Sequence, residues 1–132
     1  MKEIMKILII DDNAEVASII QQFLEIEGYQ VTTARDGNDG YSAYLDFKPD
    51  LVISDVQMPG RNGFDLMKEI RMQHPKMKTI YITGAMPEFQ PLLEEEKERY
   101  QADFLAKPFA RKELMSLVSK NLERGVTPFP TP

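Results

Sequence analysis

The sequence predicts a doubly wound α/β fold, with five parallel strands in the order 2-1-3-4-5 and helices on both faces. Three features lead there. Short apolar runs recur at Ile7 to Ile10, Leu51 to Ile53 and Ile80 to Ile82, brief enough for strands and continuous enough to be buried on both faces. Stretches with helical spacing of apolar residues separate them. Alternating strands and helices then call for crossover connections and an open parallel sheet. Residues 1–122 form one domain, and a chain of 132 residues can bury roughly two-thirds of its unfolded surface.

Lys6 to Ile10 is the first strand, and it ends in acid at Asp11 and Asp12. Asn13 suits the N-cap of the helix that follows, where Val16, Ile19, Ile20, Phe23 and Leu24 recur at helical spacing and Gly28 closes the element. Gln30 to Ala34, rich in β-branched Val31, Thr32 and Thr33, is the second strand. Asp36-Gly37 turns the chain into a helix over residues 38–47, with Tyr41, Tyr44, Leu45 and Phe47 on its inner face. The third strand starts at Leu51, runs into Asp55, and is followed by the turn formers Pro59, Gly60 and Gly63. Phe64, Leu66, Met67, Ile70 and Arg71 mark a third helix that closes near His74-Pro75.

Thr79 to Thr83 is the fourth strand, bounded by Gly84. A fourth helix falls within residues 85–101, where Pro91 is admissible only in the first turn. Beyond Leu92, Leu93 and Tyr100 it carries little apolar surface, so loose docking is expected. Its charged block, Glu94 to Arg99, is expected to be a solvated face. Phe104 to Ala106 is the fifth strand, and residues 110–122 form the last helix, with Leu114, Leu117, Val118 and Leu122 inward. Residues 123–132, containing Pro128, Pro130 and Pro132, read as an extended tail or the start of a linker.

Composition narrows the function. A net charge of -5 opposes nonspecific binding to nucleic acid, whose phosphates would repel the chain. With no cysteine there is no disulfide, thiolate or cysteine–metal chemistry. The run Ile7 to Ile10 is too short for a signal-peptide core or a membrane span, so the expected location is cytoplasmic. Asp11-Asp-Asn-Ala-Glu15 after the first strand contains no glycine, so neither a dinucleotide fingerprint nor a P-loop is present. Aspartate-nucleophile phosphatases usually carry a second acid two residues after the first; Asn13 and Gln57 stand there instead.

Parallel sheets gather their ligands beyond the carboxyl ends of the strands. In the predicted strand order those ends bring together Asp11, Asp12, Asp55, Thr83 and Lys107. Three converging carboxylates repel one another and raise at least one pKa. A divalent cation relieves the repulsion, and an all-oxygen ligand set suits Mg²⁺, which readily shares its sphere with a phosphate. Asp55, at the centre, is then placed to act as a nucleophile toward phosphorus and form an acyl phosphate. Lys107 and the metal would offset charge on the transferring oxygens, and Thr83 would add a hydroxyl donor. Each residue also has a plainer role. Asp12 and Asn13 can cap a helix, Thr83 can bond backbone, and Lys107 can be a solvated surface lysine. Capping accounts for one acid, not for two together with Asp55.

In this order, Asp11-Asp12, Asp55 followed by Met58-Pro59-Gly60, Thr83, and Lys107-Pro108-Phe109 resemble the receiver domain of two-component response regulators, over about residues 5–122. The resemblance implies a flavodoxin-like fold and a cytoplasmic phosphorelay protein. Asp55 would accept a phosphoryl group from a histidine kinase or a phosphotransfer protein. Mg²⁺ would be held by Asp12, Asp55 and the backbone carbonyl of Gln57, with Asp11 helping through water. Thr83 and Lys107 would contact the phosphoryl oxygens, the Lys107-Pro108 bond would be cis, and Phe104 would occupy the switch-aromatic position. Gln57 and Ala85 fall at positions that tune the approach of water to the acyl phosphate.

Such a domain is a regulatory phosphoacceptor, not an enzyme in its own right, although it assists its own phosphorylation and dephosphorylation. It would signal through the surface of the fourth helix, fifth strand and fifth helix to a downstream protein, a second copy or an output domain. Both a stand-alone receiver and one belonging to a longer regulator fit the sequence. The sequence departs from the commoner family pattern at Phe104, usually tyrosine, and at Gln101, often glycine. A phosphate-independent interaction module on the same fold is the alternative reading, but it has no use for Lys107 or a spare acid pair.

Overall fold

The computed structural model describes residues 4–84 and 87–123. Its elements are β1 (Lys6–Ile10), α1 (Ala14–Ile26), β2 (Gln30–Ala34), α2 (Gly37–Phe47), β3 (Leu51–Asp55), α3 (Gly63–Gln73), β4 (Lys78–Thr83), a 3-10 turn (Pro87–Phe89), α4 (Gln90–Tyr100), β5 (Asp103–Ala106) and α5 (Arg111–Glu123). The strands are all parallel and lie in the order β2-β1-β3-β4-β5, as the alternation of patterns predicts. Ala85 and residues 124–132, which hold most of the expected tail, lie outside the described residues.

Because successive residues of a strand point to opposite faces, each central strand feeds two cores. Leu8, Ile10, Val52 and Tyr81 pack with Phe64, Leu66, Met67 and Ile70 of α3, Tyr44 of α2 and Leu93 of α4. Ile7, Ile9, Ile53, Ile80 and Ile82 pack on the other face with Ala17, Ile20 and Leu24 of α1 and Leu114, Val118 and Leu122 of α5. Five consecutive buried residues in β3 explain why its sequence shows a continuous apolar run and no alternation.

Register aligns the strand ends. Ile10 pairs with Ser54, Asp55 with Ile82 and Thr83 with Ala106. The chain therefore leaves β1, β3, β4 and β5 at nearly one level, at Asp11, Asp55, Thr83 and Lys107.

The structure corrects four expectations, two drawn from periodicity, one from turn residues and one from charge pattern. Ile19 is 50% exposed and Leu45 43% exposed; α1 buries only the stripe Ala17, Ile20 and Leu24, and Ile19 falls just off it. Asp36 does not merely turn the chain but caps α2, its side chain accepting from Asp39 N at 2.8 Å, so the helix begins at Gly37. Glu96, within the block expected to be solvated, is instead an ion-pair partner of buried Arg71 at 2.8 Å. α4 does have the thin apolar face expected, with Leu93 its only buried residue.

Candidate functional site

At the end of β1 the Asp11 N–H still donates to the Ala34 carbonyl of β2 (3.1 Å), which keeps Asp11 in line with the sheet and almost wholly buried. Its Oδ1 accepts from Asn13 N at 2.8 Å. Its Oδ2 is buried and has no hydrogen-bond partner among the described residues, Lys107 Nζ standing 4.0 Å away. The N-cap of α1 is Asn13, whose Oδ1 accepts from Glu15 N (3.0 Å) and Val16 N (3.1 Å). Asp12 is exposed at the rim, and neither aspartate is the N-cap. The plainer role proposed for Asp12 thus belongs to its neighbour.

Asp55 closes β3 and is buried. Lys107 Nζ donates to its Oδ2 at 3.3 Å, and oxygens of Asp11, Asp12 and Asp55 all lie within 4.8 Å of one another. The loop beyond Asp55 is tied at both ends: Val56 N donates to Ile82 O (3.0 Å) and Gly63 N to Val56 O (2.8 Å). That second bond brings the start of α3 against the strand end, where a Cβ on residue 63 would stand 2.5 Å from the Asp55 carbonyl oxygen. Only glycine fits this approach. The sequence marks Gly63 as a turn former; the structure shows it setting how closely α3 seats against Asp55.

Thr83 is buried at the end of β4, and its carbonyl accepts from Lys107 N at 2.8 Å. This bond continues the β4–β5 ladder by one residue and aims the lysine across two strands toward Asp55. The Lys107-Pro108 peptide is cis. Gln57 is exposed in the loop after Asp55. Phe104 is half-buried against the α2–α3–α4 core, paired with Tyr81, and on the same face of the sheet as Thr83 because cross-strand partners and alternate residues share a face. The structure thus brings Asp11, Asp12, Asp55 and Lys107 into one cluster, with Thr83 beside it and Phe104 one step along the sheet.

The electrostatics follow from this crowding. Burial pushes the Asp55 carboxyl up to about 6, the Asp11 charge adds to the rise, Lys107 opposes it and Asp12 contributes least. The orphaned Asp11 Oδ2 and three close carboxylates form a hard-oxygen, negatively charged cradle, the donor chemistry that suits Mg²⁺. An acceptor-only carboxylate oxygen buried without a partner is costly, and a cation removes that cost.

The family model for the response regulator receiver domain matches residues 7–119. A receiver domain protein from Clostridium thermocellum is 30% identical with a TM-score of 0.82, over 92% of this chain and 97% of that one. The signal receiver domain of an HD domain-containing protein from Pseudomonas fluorescens Pf-5 is 27% identical with a TM-score of 0.83, over 92% and 97%. The chemotaxis response regulator CheY4 of Vibrio cholerae is 28% identical with a TM-score of 0.79, over 90% and 99%.

Proposed function

Because the chain belongs to the response regulator receiver family, we propose that it is a phosphoacceptor of a two-component relay, with Asp55 taking a phosphoryl group from a phosphohistidine of a histidine kinase or phosphotransfer protein. The observation that carries this reading is the convergence of Lys107, Asp11 and Asp12 on Asp55, the Lys107 ammonium lying 3.3 Å from Asp55 Oδ2. An Asp55 carboxylate oxygen attacks phosphorus; the new P–O bond forms as the P–N bond breaks, and the imidazole nitrogen leaves with the electron pair. Lys107 is placed to meet the negative charge of the arriving phosphoryl oxygens, and the Thr83 hydroxyl to donate to one of them. With its carboxyl titrating at about 6, Asp55 is mostly ionised, hence nucleophilic, at neutral pH and loses that character as the pH falls through 6.

Asp12, Asp55 and the backbone carbonyl of Gln57, with Asp11 behind them, would hold Mg²⁺. When bound, the ion supplies positive charge that neutralises the acidic rim and lets an anionic phosphoryl group approach. The chain's own residues then carry the signal. Thr83 is drawn toward the phosphoryl group, Phe104 repacks on the same sheet face, and the α4–β5–α5 surface changes for a downstream protein, a second copy or an output domain to read. Such a switch needs two packings only a few kcal/mol apart. Among the described residues no helix is long and apolar enough to cross a membrane, and the working location is the cytoplasm, where relay kinases present their phosphohistidines.

The test is to mix the protein with Mg²⁺ and acetyl phosphate and follow intact mass. A gain of one phosphoryl group is expected, abolished by Asp55→Asn and by EDTA. An unchanged mass in wild type under these conditions would leave the phosphate-independent module as the better reading.

A further inference from the structure

The docking of α4 rests on polar contacts more than on apolar ones. Leu93 is the only residue of this helix that is buried, and Leu92 is 41% exposed. What the apolar face does not supply, a polar cluster does. Arg71 of α3 is buried; its Nη1 donates to Glu96 Oε1 at 2.8 Å and its Nη2 to Thr79 Oγ1 at 3.4 Å. The Tyr81 hydroxyl of β4 donates to the same Glu96 oxygen at 2.6 Å. The Arg71 guanidinium lies 3.7 Å over the Tyr100 ring at the end of α4, and the fully buried Tyr81 ring packs against Phe64, centroids 4.9 Å apart. One carboxylate oxygen of α4 thus accepts from both α3 and the sheet.

Two properties set this cluster apart from ordinary packing. Apolar contacts tolerate sliding, whereas charge-assisted hydrogen bonds are directional and short-ranged, so they fix a helix at one place. Tyr81 also pairs with Phe104 of β5 and shares its strand face with Thr83 two residues on, so the cluster adjoins the residues nearest the acidic site. Burial and the Glu96 charge hold the Tyr81 hydroxyl protonated, which keeps it a donor throughout the physiological range.

We propose that Arg71, Glu96 and Tyr81 form a latch that fixes α4 in one docked position, and that α4 leaves that position as a unit when the latch opens. The latch is a property of the unphosphorylated fold; its use in signalling rests on the phosphoacceptor reading above. Opening returns the guanidinium, carboxylate and hydroxyl to water, which replaces their lost bonds, so the open state is accessible. Closing it requires all three groups in register, which makes the element bistable.

The latch is tested by amide hydrogen exchange on the full chain, without metal or phosphodonor, in wild type, Glu96→Gln and Tyr81→Phe. Tyr81→Phe keeps the ring against Phe64 and removes only the hydroxyl, so it serves even where Glu96→Gln fails to fold. Loss of a bond to a charged group should speed exchange of the amides of residues 93–100 about tenfold, with those of residues 17–24 in α1 unchanged. Exchange in α4 that matches wild type, or a rise spread equally over all helices, would overturn the latch. The outcome is independent of the mass assay: faster α4 exchange with no phosphoryl gain would sustain the latch and sink the phosphoacceptor reading, and the converse result would do the reverse.

Discussion

Replacing Asp55 by asparagine should make the metal-free protein more stable, and by an amount that depends on pH. The carboxyl titrates at about 6 in the fold against an ordinary value of 3.8, burial first and Asp11 second raising it. A raised folded-state pKa means that the fold prefers the protonated acid. That preference is fully present below pH 3.8 and is lost as the pH climbs through 6, because ionising Asp55 then costs more in the fold than in the unfolded chain. The shift corresponds to about 3 kcal/mol at full strength, and water at the rim screens it to about 2 kcal/mol. Most of this, about 1.5 kcal/mol, should develop between about pH 4.5 and about pH 7.5.

Asparagine has nearly the same shape and no charge, so the variant escapes that loss. Urea denaturation in EDTA should show the gap between Asp55→Asn and wild type widening by about 1.5 kcal/mol across that interval, equivalent to about 5 °C in melting temperature for a domain of this size. Added Mg²⁺ should narrow the gap by stabilising wild type more than the variant. If the variant is no more stable than wild type near neutral pH, or if the gap is the same in acid, then burial and the neighbouring Asp11 charge do not raise the Asp55 carboxyl as the site geometry implies.

Four further substitutions probe the frame around the site. Asn13→Ala should lower stability by about 1 kcal/mol through loss of the α1 cap, whereas Asp12→Ala should leave it unchanged or raise it; the opposite ranking in thermal melts would return the capping role to Asp12. Gly63→Ala forces a methyl toward the Asp55 carbonyl and should cost about 2 kcal/mol, read from a lower urea midpoint; an unshifted midpoint would show that α3 can retreat freely. Gln101 sits at φ 59° as the C-cap of α4, a left-handed conformation that favours glycine. Gln101→Gly should therefore stabilise by about 0.5 kcal/mol despite the added freedom of the unfolded chain, and a fall in melting temperature would contradict the strain.

Local chemistry is what made the strands and the acidic rim legible in the sequence. A strand buried on both faces must be apolar throughout, so Leu51 to Ile53 announces itself, and its abrupt end in Asp55 marks the sheet edge where ligands gather. The same rule placed Asp11, Thr83 and Lys107 at matching ends, and the parallel register then aligned them. Asn13, Pro91 and Gly28 similarly carry their backbone roles in their own covalent chemistry: a capping carbonyl, a ring without an N–H, and the absence of a Cβ. The sequence by itself therefore determined the strands, their order and the candidate site.

Only the tertiary structure decided which side chains meet. Periodicity put Ile19 and Leu45 on inner faces because it cannot tell the centre of an apolar stripe from its edge; the helix rotation that excludes them depends on what the sheet offers. Arg71 on the inner face of α3 was a sign that an acid must come to it, since a buried guanidinium needs a partner. Several glutamates in α4 could have answered, and Glu96, twenty-five residues away, was selected by the turn of the helix that Leu93 presents to the core. The reach of Lys107 to Asp55, across 52 residues of chain, depends likewise on how β4 and β5 pair. Hydrophobic pattern is a property of each segment alone, whereas an ion pair belongs to two segments whose relative rotation and height exist only after packing.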